Sequence, residues 1–154
     1  MHVKLQQHKA APKKLDVDRY SNWIMVFPLE INLSRPYGTL LSERRKMTGN
    51  KKADTVPIVY DLPNKPGSHV AYVCINDEIS SFELLTLASK LIAKHDAFHV
   101  KEIAISVSDF DDIETERITE AIIAAILSAS AEMPSFKSKK KSPLRGHLNE
   151  NLQD

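Results

Sequence analysis

The stretch from Ser80 to about residue 132 leaves the chain few ways to fold. "SSFELLTLASKLIAKHD" opens with Ser80 three residues ahead of Glu83. That is the spacing of a capping box, in which a serine hydroxyl and a glutamate carboxylate serve the free amides of a helix's first turn. Phe82, Leu85 and Ile92 fall near one face of that helix, and Leu84, Leu87 and Leu91 widen it. In "KEIAISVSD", Ile103, Ile105 and Val107 alternate as in a strand. Asp109, Asp111 and Asp112 then supply N-cap candidates and negative charge for the positive end of a further helix. This helix covers roughly residues 113–132 and carries Ile118, Ile122, Ala125, Ile126 and Ala129 on one face. Strand, helix, strand, helix in succession predicts an α/β sheet with helices packed on it.

Upstream, the signals are shorter. Residues 1–20 follow neither a period of 2 nor one of 3.6 and read as a flexible leader. "NWIMVFPL" (22–29) is an apolar run stopped by Pro28, as in a buried strand, and "YGTLLSERRKM" (37–47) is a short helix ending near Gly49. "TVPIVYDLP" (55–63) reads as a strand with a proline near each end, which places it at a sheet edge. The turn residues "NKPG" follow, then a third strand, "SHVAYVCIN" (68–76). Pro134 ends the pattern, and four lysines fall within residues 137–141. A length of 154 residues accommodates about one domain with a real core. The side chains expected to build that core are Val70, Val73, Ile75, Leu85, Ile92, Ile103, Ile105, Ile122 and Ile126.

Composition excludes several functions. Twenty-one basic and twenty acidic side chains leave a net charge of +1, so a global basic field for nucleic acid is absent. The single Cys74, in the apolar run "AYVCIN", rules out an internal disulfide framework and reads as a buried thiol in a reducing cytosol. No apolar stretch reaches bilayer length and none forms a signal core, so a cytoplasmic location is expected.

Each candidate for chemistry has a plainer explanation. "DFDDIETE" is rich in hard-cation ligands, but an EF-hand starting at Asp109 would have Glu114 where its turn needs glycine. Helix capping accounts for the acids without a metal. His95 and His99 in "KHDAFH" are four apart, yet the position after the first histidine is Asp96 rather than the glutamate of a metallopeptidase helix. They read as exposed histidines at a helix C-terminus, where positive charge suits the dipole. The four glycines, Gly38, Gly49, Gly67 and Gly146, are too scattered for a phosphate-binding loop, and no Gly-x-Ser-x-Gly elbow is present. Lys137, Lys139, Lys140 and Lys141 can neutralise phosphates, with only Phe136 beside them for base stacking. Their plain reading is a solvated linker.

Three stretches carry a resemblance: "GNKKADTVPIVYDLPNKPG" (49–67), "SSFELLTLASKL" (80–91) and "ITEAIIAAILSASAEMPSFKSKKKSPL" (118–144). From Ser21 to about Leu148 the order of features is similar to the N-terminal domain of the leucyl aminopeptidase (cytosol aminopeptidase) family, in its proteobacterial branch. Members of that family similarly end the domain with an alanine-rich helix that runs into a lysine-rich connection to the catalytic domain. The resemblance implies a single macro-domain-like, three-layer α/β domain, a mixed sheet flanked by helices, at residues 21–133. It makes residues 134–154 a basic linker toward a catalytic domain that this sequence does not contain. In the family, peptide hydrolysis belongs to that C-terminal domain, where two divalent metals (Zn or Mn) activate a water and a lysine polarises the scissile carbonyl. The parent would be a homohexamer. Neither the signature "NTDAEGRL" nor a lysine-bearing glycine-rich segment occurs here, so no catalytic, cofactor-binding or metal-binding residue carries over. The expected function is thus a non-catalytic, structural or regulatory domain. The alternative is a stand-alone module contacting DNA, or another acidic partner, through Lys137, Lys139, Lys140 and Lys141.

Overall fold

The structure is a computed structural model that describes residues 4–8, 12–49, 52–95 and 102–131. Its elements are β1 (Lys4–His8), α1 (Lys14–Val17), β2 (Asn22–Pro28), α2 (Gly38–Lys46), β3 (Ile58–Asp61), β4 (His69–Ile75), α3 (Ser81–Ala93), β5 (Glu102–Val107) and α4 (Asp112–Ala131). The five strands form one sheet in the order β1-β5-β2-β4-β3. Neighbours pair in parallel except β3, which runs antiparallel to β4 and closes one edge. The expected edge position of the proline-flanked strand is therefore correct, and Pro57 and Pro63 lie just outside its ladder.

The central strands are apolar almost end to end because both their faces are covered. On one face Ile24, Val26, Ala71, Val73, Ile75, Ile103, Ile105 and Val107 meet Leu84, Leu87, Ala88, Leu91 and Ile92 of α3 and Ile118, Ile122, Ala125 and Ile126 of α4. On the other, Trp23, Met25, Phe27, Val70, Tyr72, Cys74 and Ala104 pack with Val17 of α1, Ile31, Leu41 of α2 and Leu62. The fold is a single α/β domain of three layers: α1 and α2, the sheet, then α3 and α4.

Two expectations are corrected. Residues 1–20 do not all form a leader outside the fold: residues 4–8 pair along β5, and α1 buries Val17, whose carbonyl accepts the Trp23 indole N–H at 3.0 Å. A five-residue strand and a four-residue helix are too short to leave a period in the sequence. Leu85 is not a core residue. It is 44% exposed and Phe82 is 79% exposed, because the buried stripe of α3 is Leu84, Leu87, Ala88, Leu91 and Ile92. A helix with apolar residues over most of its circumference gives two plausible faces, and only the sheet's position selects one. The other eight expected core residues are buried.

The expected helix starts are present. Ser80 Oγ accepts the Glu83 amide at 3.1 Å and donates to Glu83 Oε1 at 2.9 Å, so the carboxylate meets the serine hydroxyl here. Asp111 Oδ1 accepts the Glu114 amide at 2.8 Å and caps α4. Gly38, first in α2, is required by space: a Cβ there would lie 2.7 Å from the Asn32 carbonyl oxygen.

Candidate functional site

In open α/β sheets, ligands favour the carboxyl ends of the strands where the strand order reverses. Here β2 sits between β5 and β4, so the loops after these three strands define that place. They enclose a crevice of about 400 Å³ lined by Pro28, Leu29, Glu30, Ile75, Asn76, Asp77, Asp109, Phe110, Asp111 and Glu114. Five of these ten side chains are carboxylic acids.

Arginines fix part of the crevice wall. Arg35, from the loop after β2, pairs with Asp109 through both carboxylate oxygens, and this contact raises its pKa above the ordinary arginine value. Asp109 adopts a left-handed backbone at φ 70°, a conformation aspartate tolerates better than most residues. Arg117 of α4 grips Glu114 at 2.9 Å and donates to the backbone oxygens of Ile79 (3.0 Å) and Asp77 (3.4 Å). The acids of "DFDDIETE" thus divide between capping, ion pairing and the crevice lining. Among the described residues no group of three His, Cys, Asp or Glu is placed to hold a metal ion. Nor does the first turn of α4 receive an anion readily, since Asp111 occupies its amides and Asp112 and Glu114 surround them. A phosphate would meet like charge there.

Beside the crevice, and sharing Asn76 with it, lies a slot of about 370 Å³. Its walls are Ala53, Asp54 and Thr55 on one side and Phe82, Glu83, Thr86, Leu87 and Lys90 of α3 on the other, and Glu78 and Ile79 just before α3 complete the lining. Lys90 Nζ donates to the Thr55 carbonyl at 3.0 Å and bridges the two walls.

Behind the slot, Arg45 of α2 and Asp54 are both buried. Arg45 Nε reaches both Asp54 oxygens at 3.3 Å, while its other nitrogens donate to the carbonyls of Leu29 (2.9 Å) and Lys52 (2.6 Å). Asp54 also accepts the Cys74 amide at 2.8 Å, and its own amide donates to the Cys74 carbonyl at 2.7 Å. Sequence reasoning missed this clamp, because an arginine and an aspartate nine residues apart form no helical or strand pair. Cys74 itself is buried as expected, and burial pushes its thiol up to about 12, away from thiolate chemistry.

At the opposite, amino end of the sheet, His95 is only 4% exposed, which corrects its expected place at the surface. Its Nε2 lies 2.9 Å from the Trp23 carbonyl, its Nδ1 is buried without a hydrogen-bond partner among the described residues, and its ring stands edge-on to His69 at 5.2 Å. Burial lowers its pKa to about 4, so the ring is neutral and donates from Nε2. His69 Nδ1 contacts Asp61 at 2.7 Å. Nearby, Asp18 accepts from the Tyr37 hydroxyl (2.6 Å) and Asn64 Nδ2 (2.9 Å), and these bonds, Tyr37 first, hold its carboxyl below the usual range. His99, Lys137, Lys139, Lys140 and Lys141 lie outside the described residues. No helix among the described residues is long and apolar enough to cross a membrane.

Comparison with protein-family models, with curated proteins and with solved structures found no match.

Proposed function

We propose that this is a non-catalytic domain of the kind that precedes the peptidase domain in leucyl aminopeptidases. The observation that carries this reading is how the fold employs its reactive side chains. Cys74 is buried with its thiol pKa raised, His95 is buried and neutral, and Asp54 is locked to Arg45 and to the Cys74 amide. These groups hold strands and loops together rather than meeting in the crevice. The three-layer architecture is compatible with the macro-like domain that the resemblance implies, and α4 ends at Ala131, shortly before the lysine-rich segment.

In this reading the partner is a C-terminal catalytic domain of the same protein, holding two divalent metals, Zn or Mn, in a cytoplasmic homohexamer. The domain described here would shape the outer arms of that assembly, limit access to its active sites or position the catalytic domain. The alternative, a DNA-binding module, draws on Lys137, Lys139, Lys140 and Lys141 alone. The crevice opposes it, since Glu30, Asp77 and Asp111 would repel a polyanion.

Two measurements test the proposal. Sequencing the transcript past the codon for Asp154 should show an open frame encoding a two-metal carboxylate and lysine constellation; a frame without one overturns the reading. The purified chain, assayed on leucine p-nitroanilide with Zn²⁺ or Mn²⁺, should give no turnover above the metal blank. Turnover that follows the protein through purification would make it an enzyme.

A further inference from the structure

We propose that the slot beside Phe82, together with the acidic crevice next to it, is a docking surface for residues 136–141 (FKSKKK) of a second copy of this chain. The slot is mainly apolar, with Ala53, Ile79 and Leu87 in its lining, and Phe82, also in the lining, is 79% exposed. A large aromatic ring left in water beside an open apolar slot favours an apolar anchor from a partner. Glu78 and Glu83 stand at the slot, and Glu30, Asp77 and Asp111 line the adjoining crevice. Among the described residues, none of these five forms a salt bridge.

The complementary ligand is written in the same sequence. Phe136 is an aromatic anchor followed directly by Lys137, Lys139, Lys140 and Lys141. A net charge of +1 conceals this division between an acidic sheet end and a basic segment. Opposed charges of this kind steer association and fix its register.

Chain length favours an intermolecular contact. The helix α4 has 20 residues and carries the chain about 30 Å away from Asp112, the neighbour of Asp111 in the crevice lining. From Ala131 to Phe136 the chain advances five residues, a reach of at most about 17 Å. The way back along α4 to the crevice is longer than that reach, which favours the slot of a neighbouring copy. Such a contact is head to tail, with unlike surfaces on the two copies. It involves only the domain and its basic segment, and does not depend on the aminopeptidase reading.

The test uses the full 154-residue chain in sedimentation velocity over a concentration series, in low and high salt. The wild type should associate in low salt and dissociate as salt screens the lysines. Two variants separate the surfaces: a slot variant, Phe82→Ala with Glu78→Lys, and a segment variant, Phe136→Ala with Lys137, Lys139, Lys140 and Lys141 changed to alanine. Each alone should self-associate at least about tenfold more weakly, as expected for loss of an anchor residue. The circular dichroism of the slot variant should match wild type, because Phe82 and Glu78 are exposed. Mixed together, the two variants should form a one-to-one dimer, since each retains the surface the other lacks. A wild type that stays monomeric at low salt overturns the proposal. So does association that survives either variant, or a variant mixture that remains monomeric.

Discussion

The two faces of the sheet are covered by different means. On one, α3 and α4 lay down 13 and 20 residues of amphipathic helix, and the side chains meeting the sheet are aliphatic. On the other, helices of 4 and 9 residues cover less, and the gaps are filled by Trp23, Phe27 and Tyr72 with buried polar groups. That second layer is tied by hydrogen bonds: Tyr72 Oη to the Leu41 carbonyl at 2.8 Å, Trp23 Nε1 to the Val17 carbonyl, and the Arg45–Asp54 clamp. A long helix secures its place by area alone. A short one needs directional contacts, each made where a partner would otherwise be buried without its hydrogen bonds.

Single substitutions test the two layers separately. The largest effect is expected in the aliphatic layer, where Ile122→Asp puts an unpaired charge among α3, α4 and the sheet and should unfold the domain. Far-UV circular dichroism reads this directly, and a native melting profile would refute the packing of α4. In the polar layer, Arg45→Leu leaves the buried Asp54 without its guanidinium and should cost about 3–5 kcal/mol in urea unfolding. A loss under about 1 kcal/mol would make the clamp incidental.

Acid should weaken the fold through His95. His95 has a folded pKa near 4 against an ordinary value of 6.5, so the unfolded chain binds the proton more readily. Its contribution is fully present above pH 6.5 and fades as the pH falls toward 4. At roughly 1.4 kcal/mol for each pH unit between the two values, about 3 kcal/mol of stability is lost over that window. Of the groups facing the ring, His69 adds to the depression and the Trp23 carbonyl opposes it. Urea titrations of wild type and His95→Gln should show the variant with the flatter acid limb; equal slopes would place the titration elsewhere. The smallest effect is Ser80→Ala, which removes one helix cap and should cost about 1 kcal/mol without touching either layer.

Legibility in the sequence follows the same division. The strand–helix–strand–helix unit from β4 through α4 was readable because helices of 13 and 20 residues repeat their apolar pattern often enough to be recognised. β3 was readable as an edge from its flanking prolines. The elements at residues 4–8 and 14–17 were not, since four or five residues carry no period. Leu85 was misplaced because leucines at 84, 85, 87 and 91 permit more than one buried stripe. The burial of His95 has no such signal, because a histidine after a helix is ordinarily solvated and it takes the approach of β2 and of His69 on β4 to enclose this one. Of the crevice, the acids of "DFDDIETE" were visible as caps, whereas Glu30, Asp77 and the arginines that brace the wall had no signal.

By itself, then, the sequence determined the class of fold, the limits of its long elements, the helix caps and the burial of Cys74. All of these depend on neighbours within a few residues or on the summed apolarity of a run. Only the tertiary structure decided which face of α3 is buried, that the amino-terminal residues join the sheet, that His95 is neutral, and that five carboxylates converge at one end. Each of these joins residues distant in sequence, and no local propensity records which distant group will arrive.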